Sequence, residues 1–257
     1  MKIILLNCLL LLAVVACSTQ SGKEAETGSK AAPIYTLLFI DKSRSVHANT
    51  AFVNQKYGQE IKEIIEQNIK KGGDKLDVYF IHENTSKARA LSLTTRSQLE
   101  VAENANATDQ ETAQTAFDLS LGREKAAMRQ RVLQQLAAQN TDRSNRETDI
   151  QASLPVIAKA NESGATVKVY YLSDMVESVY GSGRRDFHKT PPKDNAQAEQ
   201  WAKADAEKLK RYTIGSPDIT MVLPFEPNAS VKENNPAVTQ YWQTLFGELG
   251  AGNVEEL

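Results

Sequence analysis

At 257 residues, with 41% hydrophobic and 24% charged residues, the chain has the composition of a globular protein and the length of one large domain. A formal net charge of -2 lacks the basic excess of a nucleic-acid binder, so no nucleic-acid partner is expected. Both cysteines, Cys8 and Cys17, sit near the N-terminus, which leaves the body without a disulfide, a reactive thiol or a cysteine-based zinc site.

In chain order, residues 1–16 (MKIILLNCLLLLAVVA) come first: one lysine, then a nearly unbroken apolar run. That is the layout of a signal peptide, and the run is too short and too abruptly ended for a comfortable membrane span. Val14-Val15-Ala16-Cys17 resembles the lipobox of bacterial lipoproteins. The resemblance implies cleavage before Cys17 and lipidation of Cys17, giving a palmitate-type membrane anchor. Acyl chains contribute roughly 0.8 kcal/mol per buried CH₂, so several hold a protein firmly. The expected location is the bacterial cell envelope. In a Gram-negative cell, Ser18 in place of an aspartate resembles the outer-membrane sorting pattern, which implies the outer membrane or the periplasmic face. Residues 17–32, rich in Ser, Gly, Glu and Lys, read as a flexible tether.

The folded part is expected over residues 33–252. Ile34 to Ile40 (IYTLLFI) reads as a strand buried on both faces, ending at Asp41. Thr50 to Lys71 carries Tyr57, Ile61, Ile64, Ile65 and Ile69 at helical spacing, stopped by Gly72-Gly73. Asp77 to His82 is the next strand, and Ala88 to Thr94 another, antiparallel at the edge. From Asp109 to Asn140 the Ala, Gln, Arg and Leu content predicts one long helix, or two broken near Gly122. Ile150 to Ala160 is helical, with Pro155 either kinking it or marking its first turn. Thr166 to Leu172 is a strand ending in Ser173-Asp174, followed by an irregular polar insertion. Ala196 to Tyr212 is a helix and Ile219 to Leu223 the final strand. The last helix takes Asn235 as cap and Pro236 as its first residue, and Gly250 stops it. Alternating strands and helices predict an α/β layer fold with helices on both faces of the sheet.

Three segments carry chemistry: Asp41-Lys42-Ser43-Arg44-Ser45 after the first strand, Thr148-Asp149 before a helix, and Asp174 after a later strand. Read singly, each is an ordinary helix or loop cap. Ligands of open α/β sheets sit outside the carboxyl ends of the strands, and Asp41 and Asp174 end two strands that would be neighbours in the sheet. Hydroxyl and carboxylate oxygens are hard ligands suited to Mg²⁺.

Together these segments resemble the von Willebrand factor A family, whose pattern is D-x-S-x-S after the first strand, a Thr in a second loop and an Asp after the fourth strand. The resemblance spans roughly Ile34 to Leu249. It implies a Rossmann-like, mostly parallel central sheet and a metal-ion-dependent adhesion site formed by Asp41, Ser43, Ser45, Thr148 and Asp174. It further implies that Ser43, Ser45 and Thr148 ligate the cation directly, while Asp41 and Asp174 act directly or through water. The cation would be Mg²⁺, with Ca²⁺ or Mn²⁺ as alternatives, and an acidic group on a partner protein or other ligand would complete its shell. Met175 stands where relatives often have glycine.

Lys42 and Arg44 flank the loop, either pointing away or assisting an acidic partner. Arg184, Arg185 and Lys189, in the insertion, are candidate partner contacts, or else a solvated loop. His47, His82 and His188 are dispersed without zinc spacing and are expected to be structural. The alternative is a metal-dependent hydrolase acting on a phosphoryl group. Ser43 stands where a haloacid dehalogenase-type phosphatase needs its second carboxylate, and there is no Gly-x-Ser-x-Gly elbow or phosphate-cradling loop, so the reading is a binding protein and not an enzyme.

Overall fold

The computed structural model describes residues 31–43, 46, 50–138, 147–181, 183–231 and 233–257. The expected signal peptide, Cys17 and nearly all of the expected tether lie outside the described residues, as do Arg44, Ser45 and His47. From Ala32 to Leu257 the chain forms one compact unit.

Six strands make one sheet: β1 (Ile34–Asp41), β2 (Lys75–Ile81), β3 (Arg89–Thr94), β4 (Thr166–Leu172), β5 (Asp218–Val222) and β6 (Asn253–Glu256), in the order β3-β2-β1-β4-β5-β6. Among the described strands only β3 runs antiparallel to its neighbour. This is a Rossmann-like, mostly parallel sheet, and β1 and β4 lie side by side at its centre. Five helices cover it: α1 (Thr50–Asn68), α2 (Ala107–Ala137), α3 (Leu154–Asn161), α4 (Asn195–Leu209) and α5 (Pro236–Glu248).

The alternation of β1 explains the two layers. Leu37 and Phe39 enter one apolar cluster with α3, α4 and α5, while Leu38 and Ile40 enter the other with α1 and α2. Fully burying one such side chain is worth about 1.5–3 kcal/mol, so the central strands anchor both halves of the core. An aromatic column threads the first layer. Phe39 stacks on Tyr171 at 5.1 Å between ring centroids, Tyr171 on Phe246 at 5.6 Å, and Phe246 on Trp242 at 5.5 Å. It joins β1, β4 and α5, and its far end reaches the site described below.

Several expectations are refined. The segment near Gly122 is one unbroken helix of 31 residues, not two. A mid-helix glycine costs about 1 kcal/mol, and the burial of Leu121, Met128 and Val132 around it offsets that cost. Pro155 lies in the first turn of α3, where its missing N–H leaves no bond unmade, so it starts the helix and does not kink it. Ile219 to Leu223 is not the final strand. Asn253–Glu256 pairs parallel to β5 beyond α5, so the sheet runs past residue 252. Its sequence, NVEE, is polar because it forms an exposed edge, which charged side chains protect.

Candidate metal centre

The loops after β1 and β4 meet at the carboxyl edge of the sheet because the two strands are adjacent and parallel. Asp41 ends β1 at 2% exposure, and Asp174 follows β4 at 7%. Asp41 is held on both oxygens. Its Oδ1 accepts the Ser43 backbone N–H at 2.7 Å, and its Oδ2 accepts the Ser173 hydroxyl at 2.6 Å. Burial and the neighbouring Asp174 charge push the Asp41 carboxyl up to about 7, against the bonds from Ser173 and Ser43 that favour its ionised form. Two carboxylates sequestered this close repel each other, and a dication between them would reverse the sign of that term.

The Asp174 loop has a defined shape. The Val176 N–H donates to Asp174 Oδ1 at 3.0 Å, and the Met175 N–H donates to Ser173 Oγ at 3.0 Å. Met175 has φ +59°, the only positive φ of a non-glycine among the described residues. A left-handed turn is what the glycine expected there would supply without strain. Here a buried methionine takes that conformation, and its carbonyl accepts the Trp242 indole N–H at 2.7 Å. The core aromatic column thus fixes the loop that carries Asp174.

Thr148 is buried and reaches the site by a backbone bridge. It exchanges N–H···O bonds of 3.0 Å in both directions with Ser178, four residues beyond Asp174. Asp149 caps the turn before α3, its Oδ1 accepting the Ala152 N–H at 2.9 Å. Arg184, from the insertion, pairs with both Asp149 and Glu177. Glu177 is fully buried and accepts the Ile150 N–H at 2.8 Å. Burial drives its carboxyl up to about 7, and the Arg184 charge pulls the other way.

The structure therefore brings Asp41, Ser43 and Asp174 together and ties Thr148 to the same loop system. Ser45 lies outside the described residues. Lys42 is turned to α2: its ammonium donates to the carbonyls of Gln135, Leu136 and Ala138 at 2.9, 2.7 and 2.9 Å, capping the C-terminus of that helix. Burial lowers its pKa to about 8. The insertion's cations are already engaged. Arg185 pairs with Asp205 and lies over the Trp201 ring, and Lys189 pairs with Asp186 and lies over Tyr180. Of the three, only Lys189 is largely exposed. His82 is buried and accepts the Asn84 N–H on Nδ1 at 3.0 Å, a structural role.

Sequence reasoning missed Ser173, Glu177, Trp242 and Tyr57 as contributors. Position next to Asp174 was the one available signal for Ser173. Tyr57, on α1, is 1% exposed, and its hydroxyl is one of three buried side-chain polar atoms without a hydrogen-bond partner among the described residues. The charges of both Asp41 and Asp174 act on it.

Among the described residues no three His, Cys, Asp or Glu side chains gather as a metal-binding group, so any cation here would need hydroxyl oxygens as well. Neutral hydroxyls beside two buried carboxylates, with an orphaned phenol in their field, fit a hard, hydrated dication better than zinc or copper. A cleft of about 500 Å³ opens beside Asp174, lined also by Phe187, Phe225, Asn235 and Val238.

No protein-family model and no curated protein matches this sequence. Solved structures give similar folds at low identity. The pilus adhesin SpaC from Lactobacillus rhamnosus GG is 12% identical, covering 89% of this chain and 28% of its own, at a TM-score of 0.40. A von Willebrand factor type A protein from Catenulispora acidiphila is 13% identical, covering 85% and 42%, at 0.33. The D319A mutant of the PilB minor pilin from Streptococcus sanguinis is 10% identical, covering 89% and 58%, at 0.39. The chain thus spans less than two thirds of the length of each. The fold assignment rests on the sheet order above: a Rossmann-like α/β domain with a mostly parallel sheet.

Proposed function

We propose that this chain is a lipid-anchored protein of the bacterial envelope whose α/β domain binds a divalent cation and, through it, an acidic group on a partner. One observation carries the reading: Asp41 and Asp174 are buried within each other's field at the carboxyl edge of adjacent strands, beside the Ser43 loop. Burying two like charges is costly unless something of opposite sign joins them. Ser43, Ser45 and Thr148 would ligate the ion, and Asp41 and Asp174 would hold it directly or through water. Mg²⁺ suits this donor set, with Ca²⁺ or Mn²⁺ as alternatives. A dication with few charged ligands keeps its affinity for an incoming carboxylate, so the ion links two proteins and performs no chemistry. The cleft beside Asp174 leaves room for the group that carries that carboxylate. Cys17 would supply the anchor and residues 17–32 the reach.

The test is calorimetric titration of Mg²⁺ into the full chain in detergent. Saturable binding that Ser43→Ala abolishes supports the reading. Heats identical in the wild type and Ser43→Ala refute it. Loss of radiolabelled palmitate incorporation in Cys17→Ser checks the anchor separately.

A further inference from the structure

We infer that the groove formed by the insertion after Ser178 and the start of α4 is a docking site for an extended acidic peptide segment of a partner protein. The site goes beyond the cation reading above, because it works without a metal.

The groove has a volume of about 1090 Å³ and is lined by the insertion, by Gln197 and Trp201 of α4 and by Asn235, the cap of α5. The insertion is fastened to both helices. Arg185 pairs with Asp205 and lies over the Trp201 ring. The Asn235 side-chain amide donates to the Pro192 carbonyl at 3.1 Å, and the Lys193 N–H donates to Gln197 Oε1 at 2.9 Å. A groove formed in advance spares its ligand the cost of ordering it.

Its chemistry is of two kinds. Tyr180 is 64% exposed and Val231 72%, the two most exposed large apolar side chains among the described residues, and both line this groove. Apolar side chains gathered at a concave surface mark an interaction site, whereas single scattered ones do not. The lining also carries Arg184, Arg185, Lys189 and Lys193 against one acid, Asp186, in a chain whose net charge is -2. Buried acids outside the groove neutralise the two arginines. The lysines supply the available charge. Lys189 is held by a solvent-exposed pair with Asp186, and such pairs contribute little and exchange readily. Lys193 is exposed and makes no ion pair among the described residues, while its neighbour Asp194 caps α4 by accepting the Gln197 N–H at 2.8 Å. The first turns of α4 and α5 border the groove, and their dipoles are of the same sign as the lysines.

These features select the occupant. A small inorganic anion would leave Tyr180 and Val231 uncovered. A nucleic acid needs many phosphate contacts, and two available lysines supply few. A bilayer surface does not enter a cleft. An extended acidic chain with aliphatic side chains meets both needs, its carboxylates at Lys189 and Lys193 and its apolar groups on Tyr180 and Val231. The groove shares Pro191, Val231 and Asn235 with the cleft beside Asp174, so a chain lying in it leads toward the Asp174 loop.

The test uses the full chain in detergent with a chelator present, so that no cation contributes. A short fluorescent peptide alternating Asp and Leu is titrated by anisotropy and by amide chemical shifts, beside Asn–Leu, Lys–Leu and all-Asp counterparts. Only the Asp–Leu peptide is expected to bind saturably, with weakening as salt rises and with shifts confined to the insertion and the start of α4. Reversing both charges in Lys189→Glu/Lys193→Glu should lower its affinity about tenfold or more and create binding of the Lys–Leu peptide. Tyr180→Ser should weaken the Asp–Leu peptide without altering its salt dependence. Equal binding of the Asn–Leu or all-Asp peptide, shifts elsewhere on the domain, or binding of phosphatidylglycerol vesicles in place of the peptide overturns the proposal. Peptide binding that appears only when Mg²⁺ is added also overturns it and leaves the cation reading standing. Peptide binding by a chain that takes up no Mg²⁺ overturns the cation reading alone.

Discussion

The Ser173 hydroxyl donates to Asp41 Oδ2 at 2.6 Å, joining the ends of the two central strands by a buried side-chain bond. The Ser173 Oγ also accepts the Met175 N–H at 3.0 Å, so one serine aligns a carboxylate on β1 and the turn that carries Asp174. Ser173→Ala is expected to destabilise the fold by about 1–3 kcal/mol, because Asp41 and the Met175 N–H both lose a buried partner. Mg²⁺ affinity should also fall by about tenfold. Chemical denaturation paired with calorimetry measures both, and an unchanged affinity would show that Asp41 needs no alignment.

Trp242 fixes the Asp174 loop from the core through the Met175 carbonyl. The left-handed backbone at a methionine costs roughly 1–2 kcal/mol and persists because its surroundings hold it. Trp242→Phe keeps most of the aromatic stacking with Phe246 but removes the indole donor. It is expected to cost about 1–3 kcal/mol and to increase amide exchange at Met175 and Val176 more than in β4. Uniform exchange across the domain would mean that the indole bond does not control the loop.

Glu177 and Arg184 predict an unusual pH dependence. Glu177 is raised from 4.5 to about 7 in the fold. Between those values the folded protein binds more protons than the unfolded chain, so stability falls as pH rises from about 4.5 to about 7. The ordinary salt-bridged carboxylate does the reverse. Asp41, also raised to about 7, adds a contribution of the same sign. Glu177→Gln should remove its own share of that slope, read as thermal midpoints across the pH series. A wild-type slope retained in full by Glu177→Gln would contradict this.

Lys42 distinguishes a helix cap from a partner contact. Its three carbonyl acceptors at the end of α2 make it a structural cation. Lys42→Met keeps the apolar stem and deletes the ammonium, which should cost about 1–2 kcal/mol and expose the last turn of α2 to exchange. Mg²⁺ affinity should stay within about twofold of wild type. A large loss of affinity with unchanged stability would return Lys42 to the site.

The sequence announced the central strands because IYTLLFI and TVKVYYL are apolar runs that only a sheet covered on both faces can bury. It announced α5 through Asn235, Pro236 and the spacing of Val238, Tyr241, Trp242 and Leu245. It concealed β6, since an exposed edge strand has no apolar signature, and the continuity of α2, since Gly122 is both tolerable in a helix and a common break. At the candidate site, the short D-x-S-x-S run and Asp174 were visible because their spacing is local. The Asp149–Arg184–Glu177 network was not, because it joins an ion in one loop to two acids whose burial follows only from the fold. That same network gives Arg184, a candidate partner contact by charge alone, a structural task as well, as a strap between the insertion and the Thr148 loop. Tyr57 was legible as a core position, but its hydroxyl has no sequence signature at all.

Asp41→Asn tests most directly whether Asp41 and Asp174 are buried together to hold a cation. Thermal unfolding of the wild type and the variant would be followed with and without Mg²⁺. Without Mg²⁺ the variant is expected to be as stable as the wild type or more so, since one of two repelling carboxylates is gone, and only the wild type is expected to gain stability when Mg²⁺ is added. A variant that is less stable in the absence of metal, beside a wild type indifferent to Mg²⁺, would make Asp41 a structural loop cap and contradict the account.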